Sequence, residues 1–101
     1  MKKNNKQGDN YMVNKSKFIQ KSELLKALAH PTRLCIVKGL IEKESNVTYI
    51  QECLDLPQST VSQHLFKLKV AGIIKGERKG LEISYQVIND DIRKIIKILF
   101  P

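Results

Sequence analysis

The sequence predicts a mainly α-helical domain with a β-hairpin wing, four helices preceding the hairpin and one following it. Three observations lead there. Apolar residues recur at helical spacing from residue 12 to residue 71. Beyond Gly72 the period changes to alternation, with Ile83, Tyr85 and Val87 set against Glu82, Ser84 and Gln86. After Asn89-Asp90-Asp91 the helical spacing returns in Ile92, Ile95, Ile96 and Leu99. A chain of 101 residues suffices for one compact core and is too short for two.

Residues 1–11 combine Lys, Asn, Gln and Gly with almost nothing to bury, so they are expected to form a disordered basic tail. Residues 12–101 are left as the folded domain. Met12, Phe18, Ile19, Leu24, Leu25 and Leu28 supply the apolar stripe of a first helix. Ala29-His30-Pro31 interrupts it, because proline disfavours the helical state in the residue before it and fits the first turn of a new helix. The second helix then carries Leu34, Ile36, Val37, Leu40 and Ile41 and stops in the polar stretch 42–46. Val47, Ile50, Cys53 and Leu54 make a short third helix with Asn46 as its cap. Leu56-Pro57-Gln58-Ser59 is expected to turn the chain into a fourth helix whose inner side is Val61, Leu65, Leu68 and Ala71 and which Gly72 ends. The hairpin follows with Ile73 and Ile74 on one strand, Leu81 to Val87 on the other, and a tip at Glu77-Arg78-Lys79-Gly80. Asn89 caps the last helix, and Asp90 and Asp91 suit its positive N-terminal end.

The formal charge is +8, and its distribution says more than its total. Residues 2–21 hold six Lys against Asp9, and residues 58–80 hold Lys67, Lys69, Lys75, Arg78 and Lys79 against Glu77. Basic charge concentrated in this way attracts a polyanion. No apolar run reaches the roughly 18 residues of a membrane span, and the N-terminus lacks the apolar stretch of a secretory signal. Two cysteines, Cys35 and Cys53, fit a reducing cytoplasm. Both fall on apolar sides of their helices and are expected to pack as small hydrophobes.

A short helix, a tight turn and a helix that begins with small polar residues form the helix-turn-helix, which lays its second helix in the DNA major groove. Gln58, Ser59, Thr60, Ser62 and Gln63 are the candidate base-reading residues; Gln pairs bidentately with adenine, and Ser and Thr donate or accept at several bases. Lys67 and Lys69 are candidates for phosphate contacts, and Arg78 and Lys79 for an adjacent minor groove. His64 fits a DNA contact or a structural hydrogen bond better than a zinc ligand, for want of a second ligand at suitable spacing. His30 is expected to fix the helix junction. Ser62 with His64 or Asp55 does not make a hydrolase, since these are helix neighbours without a base-orienting group or oxyanion turn. No enzyme and no small-molecule substrate is expected.

Leu28-Ala29-His30-Pro31-Thr32-Arg33-Leu34, Ser59-Thr60-Val61-Ser62-Gln63-His64-Leu65 and Arg78-Lys79-Gly80 through Tyr85 together resemble the ArsR/SmtB family of bacterial repressors, over roughly residues 23–99. The resemblance implies a winged helix-turn-helix and a homodimer joined through the first and last helices, here Phe18, Leu24, Leu25, Ile92, Ile95, Ile96 and Leu99. It also implies two recognition helices facing an imperfect inverted repeat of double-stranded DNA. Many members of the family respond to a metal. In this sequence the positions of their cysteine pair hold Asn46 and Thr48, and the last helix contains no His, so no metal and no cofactor is expected. The alternative is a thiol-based, redox-responsive repressor that uses Cys35, Cys53 or both.

Overall fold

The computed structural model describes residues 14–101. The expected basic tail and Met12 lie outside the described residues. Helices α1 (Lys15–Leu28), α2 (Pro31–Glu42), α3 (Val47–Leu54) and α4 (Gln58–Val70) precede strands β2 (Ile74–Lys79) and β3 (Glu82–Val87), and α5 (Asp90–Leu99) follows. A two-residue strand β1 (Ser45–Asn46) joins the hairpin in the order β1-β3-β2, all antiparallel. Strand β1 leaves no signature in the sequence, because two residues carry no alternation.

The junctions form as local chemistry dictates. His30 Nδ1 accepts from the Thr32 amide at 3.1 Å, and Pro31 opens α2. Asn46 Oδ1 accepts from the Tyr49 amide at 2.8 Å and Asn89 Oδ1 from Ile92 at 3.0 Å, so both helices start on side-chain caps. Gly72 adopts φ +80° after α4, where the Ile73 amide donates to the Leu68 carbonyl at 3.0 Å.

The turn before α4 and the hairpin tip both depart from expectation. Pro57, at φ −60°, is the cap residue, so Gln58 and Ser59 lie inside the first turn of α4 and not in the turn before it. Glu77, Arg78 and Lys79 pair across the hairpin with Ser84, Ile83 and Glu82, and the tip is Gly80-Leu81. Gly80 supplies the positive φ, +69°, that a two-residue hairpin needs at its first central position. Leu81 is consequently 99% exposed instead of joining the inward set. Gly76 is fixed by its neighbours across the ladder: a Cβ there would stand 2.8 Å from Ile83 Cγ2.

Among the described residues the buried core is wholly aliphatic, drawing Leu24 and Leu28 from α1, Ile36, Val37 and Leu40 from α2, and Ile50 from α3. Val61, Leu65 and Leu68 enter it from α4, Ile73, Ile74 and Val87 from the hairpin, and Ile92 and Ile96 from α5. Helix α4 lies against α1, α2, α3 and β2 along its inner face. No helix of the described residues is long and apolar enough to cross a membrane.

Candidate nucleic-acid interface

The turn between α3 and α4 spans residues 55–57. Asp55 takes the left-handed conformation at φ 55°, with its amide donating to the Gln51 carbonyl at 2.8 Å, and this reverses the chain between the two helices. Val61, Leu65 and Leu68 anchor α4 from inside. At 100° per residue the opposite stripe is Ser59, Gln63, Phe66 and Val70, flanked by Thr60 and Lys67 on one side and by Ser62 and Lys69 on the other. Gln58, Ser59, Ser62, Gln63, Lys67 and Lys69 are exposed and Thr60 is half-buried. The outer surface of α4 is thus uncharged and short-chained at its start and cationic further along, with no acidic residue on the helix.

Phe66, 62% exposed, and Val70, 70% exposed, continue that outer stripe and were not singled out by the sequence reading. Their signal was present, because Phe66 follows Ser59 by seven residues and Gln63 by three, but an apolar side chain reads as core by default.

His64 turns away from the outer stripe. It is half-buried, its ring centroid stands 4.7 Å from that of His30 with the rings tilted by 54°, and its Nδ1 has no hydrogen-bond partner. Desolvation holds its pKa below the ordinary histidine value, and the charges of His30, Arg33 and Lys67 push the same way. His64 therefore joins α4 to the start of α2 in surroundings that disfavour its charged form.

On the wing, Arg78 and Lys79 are exposed on β2 rather than at the tip. Arg78 Nη1 donates to the Gly80 carbonyl at 3.4 Å, and Lys79 Nζ pairs with Glu44 Oε1 at 3.4 Å, an acid that also accepts from Ser84 Oγ at 3.3 Å. Among the described residues, none of the ion pairs uses Lys67, Lys69 or Arg78.

The residues expected to join two copies divide into two sets. Leu24, Ile92 and Ile96 are buried inside the protomer's own core, which corrects their assignment as contact residues. Phe18, Leu25 and Leu99 are exposed and Ile95 is half-buried, and Ile19, Ile98 and Phe100 are further exposed apolar residues of α1 and the end of the chain's last helix. Lys21 Nζ, 3.4 Å from Asp91 Oδ2, ties α1 to α5.

The cysteines also depart from expectation. Cys35 and Cys53 are free and exposed. On α2 the core takes Ile36, Val37 and Leu40, which leaves Cys35 outside; Cys53 shares a side of α3 with Ile50 but opens into a groove between the two helices.

Residues 30–75 match the sequence profile described as "Bacterial regulatory protein, arsR family". The transcriptional repressor PagR of Bacillus anthracis is 52% identical over 81 residues, 79% of this chain and 81% of PagR. Its crystal structure matches with a TM-score of 0.77 at 48% identity, covering 83% of this chain and 97% of that one. The transcriptional repressor SmtB of Mycobacterium tuberculosis is 43% identical over 74 residues, 73% of this chain but only 55% of SmtB. The solution structure of the homodimeric winged helix-turn-helix DNA-binding domain of Mb0332 from Mycobacterium bovis, a possible ArsR-family regulator, matches at 26% identity with a TM-score of 0.77, covering 85% and 81% of the two chains. With these similarities and a polar outer surface on the second helix of a helix-turn-helix, the chain belongs to the ArsR family of bacterial regulatory proteins, a family of DNA-binding transcription regulators and not of enzymes.

Proposed function

We propose that this protein represses transcription by binding an imperfect inverted repeat as a homodimer, in the cytoplasm and without a metal. One observation carries the reading: the outer start of α4 offers Gln58, Ser59, Ser62 and Gln63 to base edges while Lys67 and Lys69 stand beside them for the phosphates. Thr60, half-buried at the margin, takes a backbone contact, and Arg78 on the wing reaches an adjacent minor groove, where Lys79 joins it once DNA competes with Glu44. Phe66 suits the methyl group of thymine. His64 acts behind the interface by holding α4 to α2.

The homodimer rests on the exposed apolar residues Phe18, Leu25 and Leu99 of α1 and α5 with the half-buried Ile95, and on the homodimeric state of the Mb0332 domain. Two recognition helices related by a two-fold axis meet half-sites about 10 base pairs apart, centre to centre. Metal independence rests on Asn46, which is occupied in capping α3, and on Thr48, a hard hydroxyl where a soft ligand would be needed. A second reading, a thiol-responsive repressor, is favoured by the exposure of Cys35 and Cys53 on one groove.

Footprinting of the purified chain on fragmented genomic DNA tests the first reading, in parallel reactions with and without zinc. Protected sites with two-fold symmetry, unchanged by zinc, are expected. Asymmetric single half-sites would remove the dimer from the account, and release by zinc would remove its metal independence.

A further inference from the structure

Between the outer side of α2 and α3 lies a groove of about 400 Å³ that takes no part in the polar surface of α4. Ile36, Leu40, Ile50 and Leu54 give it a mainly apolar lining, to which Glu42, Lys43 and Ser45 add polar groups. One thiol opens into it from each helix, Cys35 from α2 and Cys53 from α3, and both are free and exposed. Gly39 also lines it, and nothing stands within 4 Å of where a Cβ would be, so the groove has room at that point. Tyr49 closes one side. Interaction with the Cys53 side chain, with desolvation acting in the same direction, raises the Tyr49 pKa above the ordinary phenol value, so the two groups face each other at this edge of the groove. The lining uses no residue of α1 or α5, the helices proposed to meet the second copy.

The geometry points to this groove as a covalent site for a small apolar electrophile of the α,β-unsaturated carbonyl class, captured by Cys53. Apolar walls of this volume select an apolar molecule, and a thiol is the soft nucleophile suited to an activated carbon-carbon double bond. The Cys53 thiol loses its proton to solvent, and its Sγ forms a bond to the β-carbon. The π pair of the double bond moves to the α-carbon, which takes a proton back from solvent. Nothing leaves, and no separate oxidant or reductant is needed. Helix α3 packs directly against α4, so an adduct wedged between α2 and α3 displaces the support behind the recognition helix and lowers DNA affinity. That last consequence rests on the DNA-binding reading, whereas capture itself does not.

The test treats the full chain with trans-2-nonenal or with the small polar acceptor acrylamide, follows intact mass, and uses glutathione as the reference thiol. The nonenal-to-acrylamide rate ratio is expected to be about tenfold higher for the protein than for glutathione, a preference that burying two methylenes supplies. C53S loses the fast adduct and C35S keeps it. Gly39→Leu, which fills the groove, slows nonenal and leaves acrylamide unchanged. The adduct weakens DNA binding by about tenfold, an ordinary size for coupling between sites. Equal ratios for protein and glutathione, or a fast adduct that survives C53S, overturn the site, and an adduct that leaves DNA affinity unchanged overturns its coupling. If the untreated chain prefers no duplex, the DNA-binding reading fails, while the rate ratio still decides capture.

Discussion

Helices α4 and α5 bury the same kind of stripe and differ in what they leave outside. Val61, Leu65 and Leu68 seat one, and Ile92 and Ile96 seat the other, all nearly inaccessible. Outside, α4 shows Ser59, Ser62 and Gln63 followed by Lys67 and Lys69, whereas α5 shows Ile98, 76% exposed, and Leu99 among Arg93, Lys94 and Lys97. The inner stripes make the fold, and the outer surfaces are what the proposed function assigns to partners: base edges and phosphates to α4, a second copy of the chain to α5. Phe66 and Val70 blur the contrast at the far end of α4, where an apolar outside meets the lysines.

The largest effect should come from the stripe the helices share. Leu68 is fully buried at the centre of the core, and Leu68→Ala is expected to cost about 2–5 kcal/mol, lowering the thermal midpoint and removing DNA binding together. A variant that keeps the midpoint would show that α4 is not seated as described. Next, Ile98→Glu with Leu99→Glu attacks only the outside of α5. Sedimentation should report a folded monomer, and operator affinity should fall by roughly 100-fold as the two recognition helices lose their linkage. An unaltered dimer would end the contrast between the helices.

On the outside of α4 the effects are smaller and different in kind. Gln63→Ala is expected to lose about 1–3 kcal/mol of discrimination at one base pair, seen by comparing operator duplexes substituted at each position. Lys67→Ala should weaken all duplexes alike and reduce the salt slope of binding by about 1. Identical losses of specificity from both would erase the division between base reading and phosphate contact.

The smallest effect concerns His64. Its pKa is lowered by desolvation and by the neighbouring His30, Arg33 and Lys67, so the unfolded chain binds more protons than the folded one between that lowered value and the ordinary value of about 6.5. Its stabilising contribution is complete above about 6.5 and declines as the pH falls through this window. The thermal midpoint without DNA should drop from about pH 7.5 to about pH 5.5, and His64→Asn should shrink that drop. An undiminished drop would place the titration elsewhere.

Most of the fold was legible in the sequence because its junctions are local. His30 before Pro31, the caps Asn46 and Asn89, and the positive-φ glycines Gly72 and Gly80 each act within a few residues. What was not legible depends on how elements sit against each other. Leu24 and Leu25 are adjacent in sequence, yet one is in the core and the other outside, because only the position of α1 on the domain decides which is covered. Cys53 is exposed because α3 stands apart from α2, a spacing that periodicity does not contain. The polar residues of α4 were found in the sequence, and the burial of His64 against His30 was not, since that contact joins two helices 34 positions apart.

Competition binding of the purified chain measures the central claim most directly, with a footprinted duplex labelled and either the same duplex or random DNA as competitor at about 0.15 M salt. The specific duplex should compete at least about 1,000-fold better than random DNA, and Gln63→Ala should narrow that ratio. Equal competition by specific and random DNA would contradict the reading of α4 as the element that recognises sequence.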